Sequence, residues 1–429
     1  MKNGSAILKT FFALLAISKV CYATNNEPTS NVFIQDKKNN NYIANPEIRT
    51  VLLYPKGWPQ ADAVFELGGA NPLLFSFDEL SGTPDYYTYS VVHCDANWNE
   101  SGLYYADYMD GFQQNPLNNY RFSFNTKESY AHFELELPNE QVSLRISGNY
   151  LIRVYGSASS TEAILQWQFR VVEQLVGINL RARPAPDPAI IRTHQQLDCE
   201  IFYKNLPVTD PFSDLKLVVE QNTIPNDLNP LPQFSRASSA DYSGIDKLVF
   251  KGLNEWRTFD TRSLMYNSIN IERITLTANH YHVLLKPDES RAKVQYVSQP
   301  DFNGRVAIQG ERNYDAGIEL EYPIVYFTLN TEERPDQDVY LVGNFTGFAY
   351  TDNFKMVYNY ERKAYELAIP LKQGFYNYMY AVKTPQSTTA DLSALEGSHS
   401  ETENSYSVYV YYRQPGSRYD RLVGYARIN

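Results

Sequence analysis

The stretch "YYTYSVVHCDANW", Tyr86–Trp98, decides the fold class, because a strand-like alternation of side chains runs directly into a turn-rich loop. Successive side chains of a β-strand point to opposite faces of its sheet. His93 therefore shares a face with Val91, whereas Cys94 points to the other face. A Cys–His dyad needs both side chains within hydrogen-bond reach. The adjacency of His93 and Cys94 is therefore interpreted as strand geometry, not as a catalytic centre.

The loop that follows, "DANWNESGL" at Asp95–Leu103, has the composition of a self-bracing turn. The side chains of Asp95, Asn97 and Asn99 can accept hydrogen bonds from nearby backbone amides and hold a long turn open. Trp98 would then pin the loop onto the sheet. The alternative is an exposed recognition loop, and the two interpretations overlap because rigid scaffolds commonly carry binding loops.

The same pattern of short alternating runs, separated by Gly, Pro, Asn and Asp, recurs from Ile48 to the end of the chain. It predicts an all-β fold with three consecutive antiparallel β-sandwich domains of immunoglobulin-like type after a signal peptide. The expected segments are a flexible lead-in at 24–41, an N-terminal sandwich at 42–175, a middle sandwich at 176–322 and a C-terminal immunoglobulin-like domain at 323–429.

The first residues predict export. Lys2 and Lys9 precede the apolar run "FFALLAISKV", and "CYA" follows with small residues at both ends. This pattern is typical of a secretory signal peptide, here residues 1–23. A lipoprotein signal ending at Cys21 is the alternative. No later segment approaches the ~20 continuous apolar residues of a membrane-spanning helix.

Two cysteines, Cys94 and Cys199, remain after removal of the predicted signal peptide. They could pair in an oxidising compartment. Because they fall in different predicted domains, two buried thiols are favoured.

The composition argues against several function classes. The net charge of -11 is opposite to what phosphate neutralisation by a nucleic-acid binder requires. The sequence carries no Walker loop, dinucleotide fingerprint, zinc spacing or nucleophile elbow. His280 and His282 would share a strand face, but further metal ligands are missing at helpful spacing. A glycoside hydrolase needs two carboxylates at a defined separation, and no partner can be assigned to Asp95 or Asp107. No enzyme, cofactor or metal site is therefore predicted.

Several motifs carry a family resemblance. They are "VVHCDANW", "YMDGF", "FSFNT", "YAHFELELPN" and "SGNYLIRVY", followed by "FKGLNEWRTFDTRSL", "DFNGRVAI" and the terminal "YDRLVGYARIN". In these motifs and their order the chain resembles the type 9 secretion system plug protein family over nearly its whole mature length. The resemblance implies a non-enzymatic periplasmic β-protein, associated with the outer membrane but not spanning it. Its implied partner is the large outer-membrane β-barrel translocon, whose periplasmic mouth it would close.

A protein partner of this kind is expected to bind through a few aromatic side chains with a polar rim. The candidates lie in or just after the loop analysed above: Trp98, Tyr104, Tyr105 and Phe112.

A second resemblance concerns the last segment. "VYLVGNFTGF" and "YELAIPLKQGFYNYMY" are similar to glycogen-binding-type immunoglobulin-like (E-set) modules. In those modules an aromatic residue at the position of Phe348 can stack on a sugar. The alternative function is therefore a periplasmic or surface glycan-binding protein. Phe stands here instead of Trp, and no second platform is evident.

Overall fold

The computed structural model of the protein describes residues 41–159, 161–226, 228, 230–244 and 248–429. The predicted signal peptide at 1–23 and, apart from Asn41, the predicted lead-in at 24–41 lie outside the described residues.

The described residues before Val176 form an N-terminal group of strands with one short helix, α1, at Tyr105–Tyr108. The strands are β1 Tyr42–Ile43, β2 Ile48–Pro55, β3 Val64–Glu66, β4 Leu73–Glu79, β5 Thr88–Cys94, β6 Met109–Gly111, β7 Asn115–Pro116, β8 Tyr120–Phe122, β9 Ala131–Leu137, β10 Val142–Leu144, β11 Gly148–Tyr155 and β12 Leu165–Val172.

The second group of strands, with helix α2 at Pro211–Asp214, extends to Ile308. The strands are β13 Gly177–Pro184, β14 His194–Phe202, β15 Leu215–Gln221, β16 Phe234–Arg236, β17 Ser239–Asp241, β18 Val249–Lys251, β19 Arg257–Asp260, β20 Ile271–Leu276, β21 Tyr281–Leu285, β22 Asp288–Glu289 and β23 Val306–Ile308.

The last group contains helix α3 at Ser393–Glu396 and 3-10 turns at Asn344–Thr346 and Asp352–Phe354. The strands are β24 Ile324–Asn330, β25 Asp338–Val342, β26 Val357–Asn359, β27 Ala364–Pro370, β28 Gly374–Lys383, β29 Tyr406–Tyr412 and β30 Arg421–Ile428. No helix in the described part of the chain is long and apolar enough to cross a membrane. The prediction of an all-β, mainly antiparallel fold is confirmed.

The first sandwich is built from two sheets, ordered β1-β12-β11-β5-β7 and β2-β4-β9-β8. Between them lies a large aromatic core in which Phe77 stacks on Phe133 with ring centroids 5.0 Å apart. The inner face of β5 contributes Tyr89 and Val91 to this core. Cys94 belongs to a different cluster on the other face, so the alternation predicted for this strand is confirmed.

The third sandwich is inserted into the second, between β18 and β29, which departs from the expected separation of the two domains at residue 322. The sheet β13-β14-β17-β16 shares its core with the sheet β15-β29-β30, so the last two strands of the chain return to the second sandwich. The third sandwich combines β20-β21-β24-β27-β26 with β19-β28-β23. An apolar alternating run specifies that a strand forms, but its pairing partner is set by packing with distant strands. The predicted domain boundary at residue 322 therefore falls inside the third sandwich.

Candidate partner-binding surface

The loop after β5 braces itself through one carboxylate. The Oδ1 atom of Asp95 accepts hydrogen bonds from the backbone amides of Asn97 and Asn99 at 2.8 and 2.9 Å. The side-chain amide of Asn99 donates to Oδ2 of Asp95 at 3.1 Å. The amide of Trp98 donates to the carbonyl of Asp95 at 3.0 Å. The predicted self-bracing loop is therefore present.

Trp98 is turned inward, so its assignment as a partner-binding residue is corrected. The residue is 9% exposed and packs with Cys94 and Leu151. Its backbone has a left-handed φ of 68°, and the guanidinium of Arg170 lies 4.9 Å from its ring centroid. Arg170 in turn pairs with Glu220 of β15 at 2.6 Å. Trp98 thus braces the contact between the first and second sandwiches.

His93 and Cys94 have separate surroundings and cannot act as a dyad. Nε2 of His93 lies 3.3 Å from the carbonyl oxygen of Ser147, and its ring stands edge-on to Tyr150. Burial lowers the pKa of His93 to about 4. Burial also raises the pKa of the Cys94 thiol to about 12. Both shifts favour the neutral forms, which suit a packed interior.

The two described cysteines, Cys94 and Cys199, are buried free thiols whose pKa burial raises to about 12. The thiolate population at pH 8 then falls about a thousandfold below that of an ordinary thiol. In a chain carrying Cys21→Ser, we expect the folded protein to react at least about a hundredfold more slowly with a disulfide reagent than the guanidinium-unfolded protein. Labelling kinetics at pH 8 measure this, and rapid labelling of the folded chain would contradict the burial of both thiols.

Tyr104 and Phe112 are exposed aromatic residues that follow this loop in the sequence. They are 66% and 78% exposed, the values expected of side chains available to a partner. The ring of the half-buried Tyr105 lies 4.6 Å from that of Tyr104. We call Tyr104, Tyr105 and Phe112 the aromatic platform. Tyr104 and Phe112 are accessible to a partner, and the assignment of the aromatic platform to an interface stays a prediction.

The aromatic platform has a firm base and a charged rim. The hydroxyl of Tyr108, at the end of α1, donates to the carbonyl of Val91 at 3.1 Å. Asp110 forms an ion pair with Arg145, and Asp107 lies 3.4 Å from Arg418 of the β29–β30 turn. An apolar centre with a polar, solvent-exposed border is the usual anatomy of a protein–protein interface.

Phe348 is not available as a sugar platform, so the glycan-binding expectation is corrected. It is 9% exposed, and its ring stands edge-on to Trp256 with centroids 6.2 Å apart. It follows Gly347, the left-handed residue that ends a 3-10 turn. Stacking on a sugar needs an exposed aromatic face, and this turn directs Phe348 into a buried cluster.

His282 lies in β21 and His280 lies just before it, and both side chains have neighbouring polar groups. Nδ1 of His282 lies 2.9 Å from the hydroxyl of Tyr326. Nδ1 of His280 lies 3.4 Å from a carboxylate oxygen of Glu128. The part of the chain that the structure describes holds no group of three His, Cys, Asp or Glu side chains placed to bind a metal.

Sequence reasoning missed a buried charged cluster where the sandwiches meet, which we call the Asp62 junction: Asp62, Arg305, Ser407, Tyr425 and Arg427. Asp62 accepts from Arg305 of the third sandwich and from Ser407 of β29, and from the Tyr425 hydroxyl of β30 at 2.8 Å. Burial opposes ionisation of Asp62, but Arg305 and Arg427 outweigh it and lower its pKa to about 2.

A second cluster, the Asp78 junction, ties the first sandwich to the third. It comprises Asp78, His132, Tyr322 and Lys372. Nζ of Lys372 donates to Asp78 at 2.7 Å and to the carbonyl of Gly317 at 2.9 Å. His132 and Tyr322 both contact Asp78 at 2.5 Å. A signal for this cluster exists in the sequence: Asp78 interrupts the apolar run "LLFSFDEL", where a carboxylate requires a buried partner.

The chain is similar to one known protein family and to solved structures. The sequence profile of the type 9 secretion system plug protein 1st domain matches residues 48–173, which hold the aromatic platform. The crystal structure of a hypothetical protein from Parabacteroides merdae is 35% identical, with a TM-score of 0.87 over 90% of this chain and 98% of that chain. Trypsin-activated alpha-2-macroglobulin from Escherichia coli aligns over 90% of this chain and 27% of that chain at 10% identity, but its TM-score of 0.19 is too low to indicate a shared fold. None of the curated proteins matches. Residues 48–173 of the chain therefore belong to the type 9 secretion system plug protein family, as its 1st domain.

Proposed function

We propose that this protein is a non-enzymatic periplasmic plug, which binds the outer-membrane β-barrel translocon of the type 9 secretion system and closes its periplasmic mouth. The match of residues 48–173 to the plug protein 1st domain carries the proposal. Family membership supports a role in type 9 secretion. Closure of the barrel by this protein is our proposal beyond that role.

A plug must resist deformation, and the buried junctions support that property. The Asp62 junction joins residues of all three sandwiches, and the Asp78 junction joins the first to the third. Breaking a buried ion pair is costly because it leaves an uncompensated charge, so relative motion of the sandwiches is opposed.

Size also supports the proposal. The largest outer-membrane barrels reach about 36 strands, and barrel diameter grows roughly linearly with strand number. A compact body of about 400 residues spans roughly 50 Å, whereas one sandwich of ~130 residues spans only about 35 Å. Because the third sandwich is inserted into the second, most of the chain belongs to one body.

The aromatic platform is the surface that we assign to the barrel. Truncating an exposed aromatic anchor commonly costs more than 1 kcal/mol of binding energy, whereas exposed positions affect folding by less than about 0.5 kcal/mol. The variant Tyr104→Ser with Phe112→Ser should therefore bind about 10–100-fold more weakly and unfold at the same denaturant concentration as the unaltered chain.

The experiment measures ion conductance through the purified barrel in a planar bilayer while the protein is titrated from the periplasmic side. The unaltered chain should reduce the conductance, and the double variant should need about 10–100-fold more protein. A matched control is Val357→Ser with Tyr360→Ser, two exposed residues of the third sandwich. Full conductance at saturating unaltered protein would refute closure. Equal titration by both variants would remove the aromatic platform from the interface.

A further inference from the structure

Strand β8 lies at the edge of its sheet. It pairs with β9 in the register Tyr120↔Phe133 and Phe122↔Ala131, and among the described strands none pairs with its other side. Edge strands present unpaired amides and carbonyls that can template another strand, and natural proteins usually shield them with charges, prolines or bulges.

The backbone of β8 alternates its hydrogen-bonding groups between β9 and the open side. Asn119 accepts from the amide of Glu134 at 3.0 Å, and Ser123 donates to Tyr130 at 2.8 Å, so odd-numbered residues face β9. The intervening residues, Tyr120 and Phe122, direct their amides and carbonyls outward.

The outer edge already engages a piece of the same chain at one end. Phe124, the next outward-facing residue, donates its amide to the carbonyl of Ile318 at 2.7 Å. Arg121 and Asp315 form an ion pair that fastens the same segment to β8. At this end the edge therefore already hydrogen-bonds to another segment, the turn that contains Ile318, and the neighbouring positions at Tyr120 and Phe122 continue that edge.

The side chains along this edge are aromatic and exposed. Tyr120, Phe122 and Phe124 occupy alternate positions and are 43%, 56% and 66% exposed. The ring of Tyr120 lies 5.1 Å from that of the buried Phe133, so the exposed rings extend the core of the first sandwich toward solvent. A contiguous exposed apolar patch of this kind marks an interaction site.

Charge indicates which occupant the edge would take. Residues 48–173 contain 15 Asp and Glu against 7 Lys and Arg, a net charge of -8, whereas the whole chain carries -11. Two copies of such a domain repel each other, whereas a basic partner is attracted. The charge therefore disfavours a β8–β8 dimer and favours a positively charged partner.

We propose that β8 is a docking edge for an extended strand of a basic partner protein, in which apolar residues alternate with Lys or Arg. The strand would hydrogen-bond to the outward backbone groups of Tyr120 and Phe122 and cover the exposed rings. This inference goes beyond pore closure and does not depend on it, since it requires only an extended basic segment.

The test uses the full chain and a synthetic ten-residue peptide of alternating lysine and valine. Fluorescence anisotropy of the labelled peptide gives its affinity, and hydrogen exchange reports on the amides of Tyr120 and Phe122. We expect binding with several-fold slower exchange at these amides. A glutamate–valine peptide should not bind. Absence of exchange protection, or equal binding of both peptides, would overturn the proposal.

Phe122→Pro is the decisive variant, because proline removes an outward amide and leaves the pairing with β9 intact. It should weaken peptide binding at least tenfold, whereas Phe122→Val, which keeps the amide, should stay within about threefold. Unchanged binding by Phe122→Pro would refute strand addition, and so would a β8-dependent dimer of the free chain. If Phe122→Pro fails to fold, a peptide N-methylated along one edge makes the same test from the other side, and it should lose binding.

Discussion

Replacing Asp62 with alanine is expected to lower the free energy of unfolding by about 3–5 kcal/mol, the cost of leaving buried charges without their partner. Asp62 is 6% exposed and balances Arg305, which is equally buried, as well as Arg427 at 3.7 Å. Its removal also leaves the hydroxyls of Ser407 and Tyr425 without their hydrogen-bond acceptor. Denaturant unfolding at pH 7 measures the change.

The matched control is Glu66→Ala, an exposed acid four residues further along the chain, which should change stability by less than about 0.5 kcal/mol. The pH dependence supplies a second readout. Because the pKa of Asp62 is lowered to about 2, its contribution is complete above the usual carboxyl pKa near 4 and is lost as the pH falls toward 2. The Asp62→Ala protein should lack that part of the acid destabilisation. A loss below about 1 kcal/mol would show that the junction is dispensable.

Local features of this fold are predictable because they depend on neighbouring residues. The alternation of "YYTYSVVHC" places Val91 and Cys94 on opposite faces, and the spacing of Asp95 and Asn99 closes the loop. Both follow from strand periodicity and side-chain-to-backbone hydrogen bonds. Tyr104 and Phe112, chosen as candidates from their place in or just after the loop, are exposed.

Distant features were not predictable, because the sequence pattern does not encode which strands meet. The partner of Glu220 is Arg170, and one of the two hydroxyls that donate to Asp62 belongs to Ser407, 345 residues away. The inward-turned ring of Trp98 lies against the guanidinium of Arg170, which is also brought to it by tertiary packing. The return of β29 and β30 to the second sandwich has the same origin, since strand pairing is settled by the global fold.

The Asp78 junction offers the second large effect. Lys372→Met keeps an unbranched side chain of similar length but removes the ammonium group, which is 1% exposed and donates to Asp78. We expect a loss of about 3 kcal/mol or more in the free energy of unfolding, because Asp78 stays buried with His132 as its one remaining cation among the described contacts. Lys286→Met, at an exposed position, should be nearly neutral.

Two further measurements separate electrostatics from packing in the Asp78 junction. In the double variant Asp78→Asn with Lys372→Met neither charge remains, so much of the stability should return, and a double-mutant cycle measures that coupling. Burial lowers the pKa of His132, but Asp78 and Glu134 outweigh it, and the net pKa is raised. Protonated His132 therefore stabilises the fold fully below its unfolded pKa near 6.5, and that stabilisation disappears as the pH rises through the folded pKa. The Lys372→Met protein should accordingly lose more stability at pH 8.5 than at pH 5.5. At pH 5.5 the protonated His132 is the cation that offsets Asp78, and this compensation weakens as the pH rises. A deficit that is independent of pH and persists in the double variant would instead identify lost packing as its cause, and the junction would then hold the first and third sandwiches together by shape and not by charge.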